Sequence, residues 1–183
     1  STQGTISQRL SDGSFLITPY MKDRKYLDIE DLVRIKGGMC ETGKTPSRSA
    51  LLHERIYALH PEIGSVIIAH PPAIMAFAVT DVPFDSRLIP ESYVMLRNVQ
   101  RLPYASSLLD VEGTARAFSP STPVIIVDNQ CAIVSGASLL NAFDRLEVLE
   151  YSAAAVIASK DLGGVVPISQ EEVEAIEEAF HLK

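Results

Sequence analysis

The sequence predicts a mixed α/β fold in which one sheet lies between layers of helices. Two runs of β-branched residues, at positions 66–68 and 124–127, are typical of buried strands. A long segment with apolar residues at helical spacing, residues 138–158, indicates a helix that covers the sheet. At 183 residues the chain can bury a sizeable core, so we expect residues 1–183 to form a single domain.

The first part of the chain predicts a hairpin followed by a short strand. Residues 5–10 and 14–18 flank Asp12-Gly13, a dipeptide that accepts the positive φ angles of a type I′ turn. After Pro19, residues 29–35 predict a short helical turn that leads into a strand ending at a double glycine. Residues 39–45 are predicted to be a loop.

A helix is predicted after the turn at residues 45–47. Ser47 is well placed to cap the helix, because a serine oxygen can accept a hydrogen bond from a free N–H group of the first turn. The side chains expected to pack on the sheet are Leu51, Leu52, Ile56 and Leu59.

A buried strand is predicted at residues 65–69, between Gly64 and a double proline. His70 follows this strand directly. Ligands of open α/β sheets bind in the crevice outside the strand ends, so His70 is a candidate site residue. The alternative interpretation is a histidine that only caps the strand or its turn.

The middle of the chain predicts short elements. Residues 73–79 indicate a buried helix, and residues 93–98 indicate a helical turn. A strand is predicted at residues 99–102, and a second short helix at residues 113–118.

The last part of the chain predicts two paired strands and two helices. The runs 124–127 and 132–134 flank the turn residues 128–130. Ser169 and Glu172 form a capping box that opens a last helix. The side chains expected on the core face of the long helix are Leu139, Leu140, Phe143, Leu146, Leu149 and Ala153.

Composition and charge exclude several classes of function. No apolar run approaches the roughly 18 residues that span a bilayer, so we expect a soluble protein without a membrane partner. The net charge of −7 leaves no basic cluster for nucleic acid. Cys40 and Cys131 lack zinc-ribbon spacing and no secretory signal is visible, which favours reduced thiols and a cytoplasmic location.

Several short motifs, taken in order over nearly the whole chain, resemble the class II aldolase/adducin family. The family's Gly-Asn-x-Ser strand and Ile-Thr-Pro turn have counterparts in Gly4-Thr5-Ile6-Ser7 and Ile17-Thr18-Pro19. The other counterparts are Pro46-Ser47 with His53 and Tyr57, the strand and His-Pro turn at 65–72, Pro103-Tyr104 before Gly113-Thr114, and the paired strands and long helix at 124–150.

This resemblance, which is to L-fuculose-phosphate aldolase-type domains, implies a fold and an assembly. The fold is a class II aldolase-like three-layer α/β/α arrangement with a central mixed, mostly antiparallel sheet. The assembly is a homotetramer with sites at subunit interfaces. The family's N-terminal helix has no counterpart here, as expected of a truncated or partly ordered form.

The resemblance also implies a metal site whose ligands are largely replaced. Class II aldolases hold a divalent metal, usually zinc, through three histidines, and the metal stabilises the enediolate formed when a carbon–carbon bond breaks. The corresponding positions are Ile68, His70 and Gln130. Isoleucine cannot ligate and glutamine offers a neutral oxygen, so we expect no tightly bound metal. Zinc or another divalent metal is expected only if His70 is joined by Gln130 or Cys131 in a rebuilt site.

The candidate catalytic residues are Ser49 and Tyr93. Ser49 stands where these aldolases carry the acid/base carboxylate, and a serine cannot abstract a proton without a neighbouring base. Tyr93 lies in a segment that resembles the one supplying a tyrosine across a subunit interface, although an isolated tyrosine more often serves packing.

The phosphate pocket implied by the resemblance is less changed. Thr5, Thr18 and Ser47 occupy its positions, and Met21 replaces its usual glycine. Arg48 replaces a small residue at the helix start, where it adds a fork for carboxylate or phosphate. The alternative interpretation of Arg48 is a surface arginine over loop backbone. Together with Gln130, these residues are the predicted substrate-binding set.

Three functions stay open at this point, and whether the chain is an enzyme is among the open questions. The first is a divergent class II aldolase-like lyase acting on a small phosphorylated or carboxylated carbonyl compound, with zinc-dependent aldol cleavage doubtful. The second is a non-catalytic, adducin-like oligomeric binding or scaffold module. The third is new chemistry without a metal, in a pocket lined by Arg48, Ser49, Gln130 and Cys131. A small anionic metabolite is the expected ligand.

Overall fold

The computed structural model describes residues 1–182 and confirms the mixed α/β fold. An eight-stranded sheet runs through these residues in the order β4-β3-β2-β1-β5-β8-β7-β6. The strands are β1 (Thr5–Arg9), β2 (Phe15–Ile17), β3 (Val33–Lys36), β4 (Met39–Cys40), β5 (Ser65–Ala69), β6 (Val99–Leu102), β7 (Val124–Val127) and β8 (Cys131–Gly136).

The sheet is mixed and mostly antiparallel, as predicted. Within residues 1–182, β6 and β7 pair in parallel and every other neighbouring pair is antiparallel. The central strand β5 lies between β1 and β8, with Ile68 opposite Thr5 on one side and Ile133 on the other. This register places the start of β1, the end of β5 and the start of β8 side by side at the same end of the strands.

The helices occupy the chain between the strands and after β8. They are α1 (Ala50–Leu59), α2 (Pro72–Ala78), α3 (Pro90–Leu96), α4 (Ser106–Leu109), α5 (Val111–Arg116), α6 (Leu139–Ala158) and α7 (Gln170–Ala179). Short 3₁₀ turns lie at Arg24–Tyr26, Ile29–Asp31 and Ser159–Leu162. None of the helices in residues 1–182 combines the length and the apolar character that crossing a membrane would require.

Two hydrophobic cores on opposite faces of the sheet define three layers. Along β7 and β8 successive side chains point to opposite faces, so a continuous apolar run serves both cores. Ile125 and Ile133 join the core beneath α1 and α5. Val124 and Val134 join the core beneath α2, α3 and α6. The three-layer α/β/α architecture is therefore confirmed.

Arg9 at the end of β1 binds the C-terminal end of α1. Its guanidinium donates to the carbonyl oxygens of Tyr57 at 2.6 Å, His60 at 2.8 Å and Ile63 at 2.9 Å. The same group lies 4.8 Å from the centre of the Tyr57 ring. A cation that satisfies the last carbonyls of a helix also favours the negative end of its dipole. Arg9 therefore fixes α1 on the sheet.

A buried polar network joins the middle of α1 to β1. The hydroxyl of Ser7 lies 2.7 Å from Nδ1 of His53 and 2.6 Å from the hydroxyl of Tyr57. Burial lowers the pKa of His53 to about 3 and raises the pKa of Tyr57 to about 12, so both groups are neutral near pH 7. His53 is thus a buried structural histidine.

Two predicted local features in the first part of the chain are wrong. Gly13 has a φ of +79° but Asp12 does not have a positive φ, so the hairpin turn is not type I′. The turn closes through the Gly13 N–H and the Leu10 carbonyl instead.

Met39 and Cys40 form β4 against β3 rather than a loop, because the double glycine before them supplies the positive φ angles of a tight turn.

The predicted helix faces are only partly correct. In α1, Leu52 and Ile56 are buried, but Leu51 is 65% exposed. In α6, Leu149 and Ala153 are buried, whereas the first turns carry side chains that stay exposed: Leu139, Leu140 and Phe143. In these turns it is Ala142 that faces the sheet, against Gly136 of β8, so the larger apolar side chains lie on the other sides of the helix and have no core to enter within one chain.

We predict that Arg9→Met lowers the free energy of unfolding by about 3 kcal/mol, because three carbonyl oxygens lose a charged donor while the apolar stem is kept. Arg116→Met is the matched control. It removes an exposed ion pair with Glu112 and should cost less than about 1 kcal/mol. Denaturant unfolding monitored by circular dichroism measures both. Equal losses in the two variants would contradict the role of Arg9.

We predict that His53 makes the protein less stable as the pH falls below about 6.5. The unfolded chain takes up a proton on His53 below that pH, whereas the folded chain does so only near pH 3. Between pH 7.5 and pH 5 the wild-type protein should lose about 2 kcal/mol more unfolding free energy than His53→Gln. Parallel pH profiles of the two proteins would show that the buried imidazole does not titrate in this way.

Candidate functional site

A cleft of about 370 Å³ opens at the C-terminal end of the central strand β5, between the start of α1 and the turn that joins β7 to β8. No aspartate or glutamate of residues 1–182 lines this cleft, although the chain carries a net charge of −7. Six of the eight predicted site residues line it: Thr5, Ser47, Arg48, Ser49, His70 and Gln130.

Three hydroxyl groups form a triangle in the wall of the cleft. The oxygen of Ser47 lies 2.7 Å from that of Thr5 and 3.2 Å from that of Ser49, and the Ser49 hydroxyl donates to Thr5 at 3.2 Å. The predicted cap is wrong, because the Ser47 hydroxyl bonds to Thr5 on β1 instead of capping α1. The same bonds hold the helix start against the strand.

Thr18 supports this wall from behind and does not line the cleft. Its hydroxyl accepts from the Ile6 N–H at 3.3 Å, and its carbonyl accepts from the Ser47 N–H at 3.2 Å. Both of its polar groups are therefore engaged with neighbouring backbone. Its predicted substrate contact stays a prediction.

Arg48 stacks on an aromatic ring and keeps its donors free. Its guanidinium carbon lies 5.2 Å from the centre of the Tyr20 ring, and no carboxylate of residues 1–182 pairs with it. Stacking holds a guanidinium by its face and leaves the N–H groups of its edge available to a planar anion. Arg48 is thus the available cationic fork of the cleft.

Arg24 is a second cation of the cleft that sequence reasoning missed. Its N–H groups donate to the carbonyl oxygens of Gly4, Pro19 and Lys22 at 2.9–3.2 Å. Burial lowers the pKa of its guanidinium. Arg24 therefore adds positive charge to the cleft, but its N–H groups are already bonded to backbone carbonyls. Nothing in a polar loop sequence marks an arginine that bonds to carbonyls of its own loop and of the segment before β1.

Gln130 and Cys131 form the side of the cleft nearest to β8. The Gln130 N–H donates to the Val127 carbonyl at 3.1 Å, and Asn129 takes the positive φ of +53° that the turn needs. The side-chain oxygen of Gln130 is buried without a hydrogen-bond partner among residues 1–182. Burial raises the pKa of the Cys131 thiol to about 12 and lowers the pKa of His70.

These donors do not fit a zinc ion. A structural or catalytic zinc needs three or four nitrogen, sulfur or carboxylate ligands. Here one imidazole, from His70, stands near a neutral amide and the single buried thiol of Cys131. In the part of the chain that the structure describes, no three histidine, cysteine, aspartate or glutamate side chains gather in a group that could hold a metal.

Tyr93 lies on α3, away from the cleft. Its hydroxyl donates to the carboxylate of Glu177 on α7 at 2.6 Å, and the guanidinium of Arg97 lies 5.4 Å from its ring. Burial and Glu177 raise the pKa of Tyr93. One chain therefore does not bring Tyr93 to the other site residues, and its action across a subunit interface stays a prediction.

The arrangement favours binding of a small anion. The cleft combines two guanidinium groups, a cluster of hydroxyls and a free amide with no opposing carboxylate. Ser49 cannot act alone as a proton acceptor, since the hydroxyls around it are equally weak bases. His70 contributes an imidazole to the lining of this cleft, and burial lowers its pKa, which favours the neutral form that can accept a proton.

Comparison with curated proteins identifies relatives in bacteria. A methylthioribulose-1-phosphate dehydratase from Pectobacterium atrosepticum is 29% identical over 168 residues, covering 82% of this chain and 81% of the relative. A 3-oxo-tetronate 4-phosphate decarboxylase from Haemophilus influenzae is 28% identical over 158 residues, covering 82% and 74%. A second dehydratase, from Pectobacterium carotovorum, is 34% identical over 101 residues, but this match spans only 48% of its length.

Solved structures show the same fold. YgbL from Escherichia coli superposes with a TM-score of 0.84 at 24% identity, covering 96% of this chain and 87% of the other. An L-fuculose 1-phosphate aldolase from Glaciozyma antarctica has a TM-score of 0.81 at 18% identity, covering 98% and 73%. At these identities the structures support the fold alone. The profile described as "Class II Aldolase and Adducin N-terminal domain" matches residues 1–157. The chain therefore belongs to the class II aldolase/adducin family.

Proposed function

We propose that this chain binds a small phosphorylated or carboxylated carbonyl compound in the cleft at the end of β5, as a divergent lyase-type member of its family. The observation that carries the proposal is the free guanidinium of Arg48 in a cleft without a carboxylate. In a chain with a net charge of −7, such a local excess of positive charge favours an anionic ligand.

The named relatives support this class of ligand. The dehydratase and the decarboxylase are both named for phosphorylated small molecules, and each match covers 82% of this chain. Arg48 would bind two oxygens of the anion, since a guanidinium forms paired bonds to phosphate or carboxylate. Thr5 and Ser47 would add hydroxyl donors from the buried wall.

We further propose that the chain does not carry out conventional zinc-dependent aldol cleavage. The family usually uses a divalent metal such as zinc, but the donors beside His70 do not suit that ion. With Ser49 at the position of the acid/base carboxylate, the cleft also lacks the usual base. Any lyase reaction would then depend on His70 for proton transfer.

The second candidate function is a non-catalytic oligomeric binding module in the cytoplasm. It is favoured by the apolar side chains of α6 that stay exposed within one chain, among them Leu140 at 68% and Phe143 at 46%. We propose a homotetramer in either case. Binding of an anion without turnover would favour this module over an enzyme.

We predict that inorganic phosphate raises the melting temperature of the wild-type protein and that Arg48→Gln weakens this binding roughly tenfold to 100-fold, because a charge-assisted pair of bonds is lost. Arg87→Gln is the matched control, since Arg87 already pairs with Asp85 outside the cleft. Calorimetric titration of the three proteins measures the change. A similar loss in both variants, or no phosphate binding at all, would contradict the proposed site.

We predict that the wild-type protein retains well below one zinc per chain after dialysis, whereas Ile68→His with Gln130→His retains about one, since the two new imidazoles complete a set of three with His70. Elemental analysis of the purified proteins decides this. The single variant Gln130→His is the control and should stay low. One tightly held zinc per wild-type chain would overturn the proposal that the metal is dispensed with.

A further inference from the structure

A second cavity lies at the opposite end of the strands from the cleft. This hairpin cavity has a volume of about 460 Å³ and opens between α1, the hairpin of β1 and β2, and the turn that joins β3 to β4. Arg9 at the end of β1 lines it, whereas Thr5 at the start of the same strand lines the cleft. Four residues of a strand span about 13 Å, so the two spaces are separate.

The floor of the hairpin cavity is apolar. Phe15, Ile35 and Tyr57 line it, and each of them is buried. The centres of the Phe15 and Tyr57 rings lie 5.3 Å apart, and the Tyr57 hydroxyl is turned away to its bond with Ser7. A cavity of this size with an apolar floor and a few polar groups is typical of a small-molecule site. Its ligand should therefore carry an apolar group.

Two opposite charges flank the same aromatic ring in this cavity. The guanidinium carbon of Arg9 lies 4.8 Å from the centre of the Tyr57 ring, and Glu54 precedes Tyr57 by three residues on α1, so their side chains are neighbours on the helix surface. Within residues 1–182, Arg9 and Glu54 are the charged side chains that line the cavity, and they form no ion pair with each other.

Both charges present groups that other atoms can reach. Nε and Nη2 of Arg9 are bonded to backbone carbonyls, but Nη1 has no partner in the described part of the chain and is not a buried atom. The Glu54 carboxylate likewise lacks a partner there without being buried. It lies near the turn of β3 and β4, where a methyl group on Gly38 would stand 3.9 Å from Oε1.

The two charges restrict the ligand to one class. An anion at Arg9 would also meet the carboxylate of Glu54, and a cation at Glu54 would also meet the guanidinium. A neutral molecule would displace water from both groups without replacing its hydrogen bonds. A molecule with one positive and one negative group avoids all three penalties.

We propose that the hairpin cavity binds a free amino acid with an apolar side chain. The carboxylate of the ligand accepts from Nη1 of Arg9, its ammonium group donates to Glu54, and its side chain packs on the apolar floor. The end of a peptide does not satisfy the site, because it keeps only one of the two charges. The proposal concerns a second site and does not rest on the function proposed for the cleft.

The first part of the test compares three ligands by calorimetric titration of the wild-type protein. They are L-leucine, 4-methylpentanoate, which lacks only the amino group, and L-leucinamide, in which a neutral amide replaces the carboxylate. Leucine should bind about fivefold to tenfold more tightly than either analogue, because each analogue loses one charge-assisted contact in a partly exposed site.

The second part uses Glu54→Gln, which keeps the size of the side chain and removes its charge. Its preference for leucine over 4-methylpentanoate should fall below about twofold, while its preference over leucinamide persists because Arg9 is unchanged. Glu178→Gln, an exposed glutamate of α7 outside the cavity, is the matched control and should keep both preferences. Arg9 itself is left intact, since its loss would destabilise the end of α1.

Three outcomes would overturn the proposal. The first is no binding of leucine by the wild-type protein, and the second is equal binding of the three compounds. The third is a preference for leucine over 4-methylpentanoate that survives in Glu54→Gln, since the ammonium group would then be recognised by another residue. None of these results bears on phosphate binding in the cleft, which is measured separately.

Discussion

The contact between β1 and α1 is the constraint on which the cleft depends. Thr5, Ser7 and Arg9 alternate along one face of β1, and they bind respectively the start, the middle and the end of the helix region. A strand that faces a helix layer normally presents apolar residues, so each of these polar groups needs its partner to avoid an unpaired buried atom. Together they fix the position of α1 along the strand, and with it the position of Arg48 at the cleft.

On the proposed function, the cleft carries its positive charge where the anion of a ligand binds, and not where aldol cleavage would need it. A metal at the end of β5 would place positive charge at the reacting carbonyl, where it stabilises an enediolate. In this chain that region holds Ile68 and the neutral amide of Gln130, and the positive charge lies at the start of α1 instead. The protein can thus hold the anion of its ligand strongly while offering little electrostatic help at the carbon skeleton.

The elements that depend on a local pattern of residues could be predicted from the sequence. Contacts in which distant segments compete for the same side chain could not. The strand that ends before His70 was predictable, because a short apolar run between a glycine and two prolines has few other interpretations. The role of Ser47 was not, because its hydroxyl had a choice between its own helix and Thr5, forty-two residues away in sequence. The exposure of Leu140 could not be predicted either, since helical spacing identifies an apolar face but not what covers it. The unpaired oxygen of Gln130 is a three-dimensional property with no counterpart in the sequence.

The turn between β7 and β8 has a practical consequence for protein engineering. Its backbone hydrogen bonds, from Gln130 to Val127 and from Asn129 to Ala78, do not involve the side chain at position 130. We therefore expect the scaffold to tolerate exchange of that side chain at small cost in folding stability, while the groups that line the cleft change. On the proposed function, a library restricted to position 130 would sample new ligand selectivities while Arg48 continues to bind the anion.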